Sequence, residues 1–118
     1  MTAAPRPIVL DADGRKRLRA SIAHWKRLAT GKRRAGEETG SDHCALCERW
    51  LIDDCATGCA GKCPVYQATR HPFCWSSPYD AASRANLLHG LDSPEFRAAA
   101  EVELAFLRGL LARAKEKP

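Results

Sequence analysis

No cysteine lies in the first 43 residues or the last 44 of this 118-residue chain, and all six fall between Cys44 and Cys74. Large side chains are also scarce: three Phe, three Trp, two Tyr and one Met must serve a hydrophobic fraction that is mostly alanine and leucine. A single small domain with so thin a core needs a covalent or metal staple. No apolar run is long enough to span a membrane or to form a signal-peptide core, so the chain is expected to be cytoplasmic. Thiols stay reduced in that compartment, and closely spaced cysteines there bind metal more often than they form disulfides. No glycine-rich phosphate loop, internal repeat or low-complexity segment occurs. No cysteine is set apart beside a histidine and a third orienting group, as a thiol nucleophile requires, and Asp53 and Asp54 are too close in sequence to share an acid/base site. An enzyme is therefore not expected.

Acid is missing from one stretch in particular. Between Asp13 and Glu37 there are nine basic residues and no Asp or Glu. Residues 1–36 carry ten Lys or Arg against two Asp, a balance of +8, while the remaining 82 carry nine against twelve, a balance of −3. The net charge of +5 is thus an N-terminal property.

Periodicity predicts a mainly α-helical fold of two packed amphipathic end helices joined by a loop-rich, metal-bound cysteine region. The domain is read as a basic helix within 1–30, a solvated linker over 31–42, the cysteine region over 43–77 and a helical part over 78–118. Leu18, Ile22, Trp25 and Leu28 or Ala29 recur at helical steps, with Asp11 or Asp13 as the cap and Gly31 as the left-handed stop. A short helix is expected from about Pro78 to Leu88, closed by Gly90. Ser93, Pro94 and Glu95 start the last helix, and Arg113, Lys115 and Lys117 favour its negative end. Its stripe runs Phe96, Ala100, Leu104, Leu107, Leu111 and Ala114, widened by Val102, Phe106 and Leu110. Two such faces in one small chain are expected to cover each other.

Cys44 and Cys47 form a C-x2-C, a spacing at which a tight turn presents two thiolates to one ion. Cys63, followed by Pro64, and Cys74 rank next, and Cys55 and Cys59 compete for what remains. Gly58 and Gly61 favour a loop or turn around these two. A closed four-thiolate site suits a thin core, so zinc is the expected ion, with a [4Fe–4S] cluster in a sensor or electron carrier as the alternative. His24, His43, His71 and His89 are expected to be exposed or helix-terminal, because six thiols already exceed four ligands. His43 and His71 are the best placed of the four to ligate.

C-A-L-C at 44–47, D-D-C at 53–55, C-P-V at 63–65, Cys74 and P-Y at 78–79, after H-W at 24–25, together resemble a group of small cysteine-rich proteins of bacteriophages and prophages. Their pattern is C-x-L-C, a spacer, C-x-G-C-P, a spacer, C and P-Y, and the likeness covers about residues 8–80. This chain departs from it in CATGCAGKCP, which makes Cys55 or Cys59 supernumerary. The resemblance implies a phage context and a metal site, and it implies no reaction.

The basic residues suggest the partner. Arg15, Lys16, Arg19, Lys26, Lys32, Arg33 and Arg34 form a candidate surface for nucleic acid, through salt-dependent phosphate contacts, or for an acidic protein. An inhibitor of a host enzyme would share these features. The competing role is internal, namely neutralising the acidic segment from Glu37 to Asp54 and a thiolate–metal centre.

Overall fold

A computed structural model describes residues 8–39, 51–53, 58–59, 64, 68 and 77–116, with the backbone alone at 51–53, 58–59 and 116. Within these residues the chain is mainly helical. In order come β1 (Ile8–Leu10), α1 (Ala12–Thr30), β2 (Leu51–Asp53), β3 (Gly58–Cys59), α2 (Tyr79–His89), α3 (Pro94–Arg113) and β4 (Ala114–Glu116). Pro64 and Ala68 are helical too; Pro64 is fully buried, and Ala68 packs against the core.

The helix boundaries follow from local chemistry. Asp11 has extended backbone, and its Oδ1 accepts from the Gly14 N–H at 2.7 Å, satisfying one of the donors a helix start leaves open. Gly31, at φ 73°, ends α1 by donating to the carbonyls of Arg27 and Leu28. Ser93 Oγ accepts from the Phe96 N–H at 3.1 Å, and Pro94 needs no N–H in the first turn of α3.

The two long helices pack on each other, with α2 against α3. Leu18, Trp25, Leu28 and Ala29 of α1 meet Phe96, Ala100, Leu104, Leu107 and Leu110 of α3, and Ile8, Leu10 and Ala82 close the cluster. Trp25 joins three elements: its ring stacks on Phe96 at 6.5 Å between centroids and meets Tyr79 of α2 edge-on at 6.0 Å. Val102, expected to widen the apolar stripe, is 58 % exposed. At about 100° per residue it lies outside the arc from Leu110 to Leu104 that α3 buries. Glu103 lies inside that arc and is buried.

The last helix also ends earlier than its charge pattern suggests. Ala114 takes extended dihedrals, and Ala114–Glu116 pairs in parallel with Ile8–Leu10, in the register Ile8↔Ala114, Val9↔Lys115 and Leu10↔Glu116. Lys115 therefore belongs to a strand just past the helix end, Arg113 occupies the last turn, and Lys117 lies outside the described residues. The two strands lie about a hundred residues apart in sequence, and their pairing fastens both ends of the described fold together. A second small pair, β2 with β3, is antiparallel and irregular, with Leu51 opposite Cys59 and Asp53 opposite Gly58.

Gly109 sits in the α3 interior with no left-handed dihedral, and a Cβ built there meets nothing within 4 Å. Gly109→Ala should therefore raise stability by about 0.5–1 kcal/mol, by restricting the unfolded chain and favouring the helix. A thermal melt that moves down would contradict the open environment described for this position.

Candidate nucleic-acid interface

The basic residues of α1 divide into two groups. Lys16, Arg19 and Lys26 are exposed, and their spacing of three and seven places them on one side of the helix, away from the face that carries Leu18, Trp25 and Leu28. Ala12, Ala23 and Thr30, which project between these cations around the helix, are exposed and small. Beyond the helix, Lys32 and Arg34 are exposed as well. Arg15 is half-buried, and its Nη2 donates to the Ala114 carbonyl at 3.5 Å. Arg33 donates to the Glu37 carbonyl at 3.2 Å and lies 3.7 Å from the Asp92 carboxylate. Five of the seven sequence-selected cations thus face solvent, and two are engaged with the fold.

The second group holds the charge the fold keeps for itself. Arg17 pairs with Asp13 at 2.9 Å along the helix surface. On the flank of the apolar stripe, Arg27 and His24 converge on Glu37, which the chain returns through a turn closed by the Glu37 N–H to the Arg34 carbonyl at 3.0 Å. Gly36 in that turn has φ 77°, a left-handed conformation that costs a residue with a Cβ roughly 1–2 kcal/mol. The Glu37 carboxylate accepts from Arg27 Nε at 3.0 Å and Nη2 at 2.7 Å, from His24 Nδ1 at 2.6 Å and from the Arg34 N–H at 2.9 Å. An ionised carboxylate only accepts, so His24 carries its proton on Nδ1 in this contact.

This cluster corrects two expectations. Glu37 and Thr39 were expected in a solvated linker, yet they are 7 % and 8 % exposed. His24 was expected at the surface and is 5 % exposed. For Glu37 and His24 the cause is shared: four donors replace the water that Glu37 loses, so burial leaves no bare charge. Sequence offers a partial signal, since His24 and Arg27 are three apart and so share a side of the helix, but nothing local says that the chain folds back ten residues later. The internal neutralising role foreseen for the basic residues is thus carried, within the described residues, by Arg27 and His24 at Glu37.

The hydrogen bond from Arg27, against the opposing effect of burial, lowers the Glu37 pKa to about 2 from an ordinary value near 4.5. The folded state therefore binds this proton less readily than the unfolded chain. The resulting stabilisation is complete above pH 4.5 and is lost as pH falls towards 2. Glu37→Gln should cost about 2–3 kcal/mol at pH 7, since it removes charge-assisted bonds from a buried site. Urea unfolding of both proteins should show their difference shrinking between about pH 4.5 and pH 2. A difference that stays constant over that range would contradict the assignment.

Thr39 is held where the chain turns towards its cysteines. Its carbonyl accepts from the Tyr79 hydroxyl at 2.9 Å, and its Oγ1 lies 3.4 Å from Asn86 Nδ2. Both flanks of the cysteine segment are therefore fastened at one place, beside Trp25. Cys44, Cys47, Cys55, Cys63 and Cys74 lie outside the described residues, as do His43 and His71, and of Cys59 only the backbone is described, in β3. Among the described residues no group of three or more His, Cys, Asp or Glu could hold a metal ion, and no helix is long and apolar enough to cross a membrane. No protein-family model, curated protein or solved structure matches the chain significantly.

Proposed function

We propose that the protein is a small metal-stapled binding module, of the phage and prophage kind its cysteine motifs resemble, which binds a polyanion through the basic side of α1. Four of Cys44, Cys47, Cys55, Cys59, Cys63 and Cys74 hold zinc in this reading, and the ion has a structural role. The polyanion is a nucleic acid or an acidic protein.

The observation that supports the reading best is the separation of charge on α1. Arg17 and Arg27 are paired with the fold's own carboxylates, whereas Lys16, Arg19 and Lys26 are exposed on one side with no acid between them. Cations serving only internal neutralisation would sit against carboxylates, as Arg27 does. Replacing Lys16, Arg19 and Lys26 together by Ala should leave the melting temperature within a few degrees of the parent, since surface changes of this kind move stability by only about 0.5 kcal/mol each. The same variant should elute from a DNA column at clearly lower salt. Unchanged retention by a folded variant would reject this surface as the binding face.

A further inference from the structure

We infer that the partner is a double-stranded nucleic acid, gripped through its phosphates by the exposed side of α1 and read without regard to base sequence; this rests on the polyanion-binding reading above and narrows it. Three properties of the surface point to a duplex.

The first is what the basic side lacks for a protein partner. Protein interfaces draw most of their energy from buried aromatic and large apolar anchors. Val9, Leu87, Leu88 and Val102 are the exposed large hydrophobics among the described residues, and none belongs to α1. The uncharged positions on its basic side, Ala12, Ala23 and Thr30, are small, and they supply no anchor but let a phosphate backbone approach the helix closely.

The second is what it lacks for a single strand. Single-stranded binding without sequence preference depends on exposed aromatic rings that stack on bases beside a basic groove. Among the described residues Trp25 and Phe96 are buried, and Tyr79 and Phe106 are partly buried against the core. No ring is offered on the basic side of α1, since its two ring-bearing residues, His24 and Trp25, are both buried.

The third is the layout of charge. At about 1.5 Å rise per residue, Lys16 and Lys26 stand about 15 Å apart along the helix axis, with Arg19 between them. Lys32 and Arg34, beyond Gly31, are exposed as well. The acid of α1, Asp13, lies in its first turn and is paired with Arg17, and Asp11 caps the helix. This makes a linear row of point charges, matched to the regular charge of a duplex backbone, with no fork of donors organised to read a base edge.

The test measures fluorescence anisotropy of the full chain against a labelled 20-base-pair duplex and its single strand at several salt concentrations, with poly-glutamate as competitor. With five phosphate contacts, log affinity should fall with log salt at a slope near −4.5 on the duplex and near −3.5 on the single strand, roughly a tenfold preference for the duplex at 0.1 M salt. Replacing Lys16, Arg19 and Lys26 by Ala should lower the duplex slope by about 2.7 units, and permuting the duplex sequence should change nothing. Single-strand affinity equal to or above the duplex, or poly-glutamate displacing the duplex charge for charge, would overturn the duplex inference while leaving polyanion binding intact. Failure of the unmodified protein to bind any of the three would overturn both.

Discussion

Trp25→Ala should remove a large share of the stability of this protein. The indole fills the place where α1, α2 and α3 converge, stacked on Phe96 and edge-on to Tyr79, with His24 at 5.7 Å beside it. A Trp-to-Ala change in a core costs about 3–5 kcal/mol, through lost transfer energy and the cavity left behind. Against a total of about 5–15 kcal/mol for a small domain, that is roughly a fifth of the stability at the least and nearly all of it at the most. Here the neighbours are poorly equipped to collapse into the space. The α3 face opposite is built from Phe96 and Ala100, and few other large side chains exist to move in. The melting temperature should fall by about 15 °C or more. Val102→Ala, on the exposed side of α3, is the control and should stay within about 0.5 kcal/mol of the parent. A Trp25→Ala protein that melts within a few degrees of the parent would contradict the central position of this ring.

Much of that core is legible in the sequence. Leu18, Trp25 and Leu28 announce themselves by helical spacing, and Asp11, Gly31, Ser93, Pro94 and Gly90 mark boundaries that the structure places within a residue or two. These signals are local, because a cap or a stripe is decided by neighbours three or four positions away. The parallel pairing of Ile8–Leu10 with Ala114–Glu116 has no such signal. Three-residue strands are too short to show alternation, and nothing in either segment names a partner so distant in sequence. The same holds for Glu37. Its composition reads as surface, and only the return of the chain onto Arg27 and His24 buries it. For the candidate binding face, sequence singles out the cations but cannot sort them. Arg33 and Arg15 look like Lys16 until the fold gives them carbonyl partners.

Cys44→Ser and Cys47→Ser are the second pair of substitutions with a large expected effect. In the proposed reading both thiolates bind the structural ion, and a site absent from the unfolded chain turns its binding energy into folding energy. Structural zinc in small domains contributes an apparent 10–16 kcal/mol or thereabouts, so a site reduced to three thiolates forfeits a large share of it. The fold transmits that loss through Thr39 and Tyr79, whose hydrogen bond at 2.9 Å fastens one flank of the cysteine segment to the other. Either substitution should lower the melting temperature sharply, and a strong chelator should act on the parent protein in the same direction. Serine at the supernumerary member of Cys55 and Cys59 should do little. Equal tolerance at all six positions would mean that no ion is held there.

The most direct test of a metal-stapled module is elemental analysis of the protein purified without air, read together with its visible absorption and far-ultraviolet circular dichroism. A colourless helical protein is expected, carrying one zinc per chain and losing its cooperative melt when the zinc is removed. A brown protein with a broad visible band would replace zinc by an iron–sulfur cluster. A colourless, metal-free protein that is nevertheless folded would contradict the account.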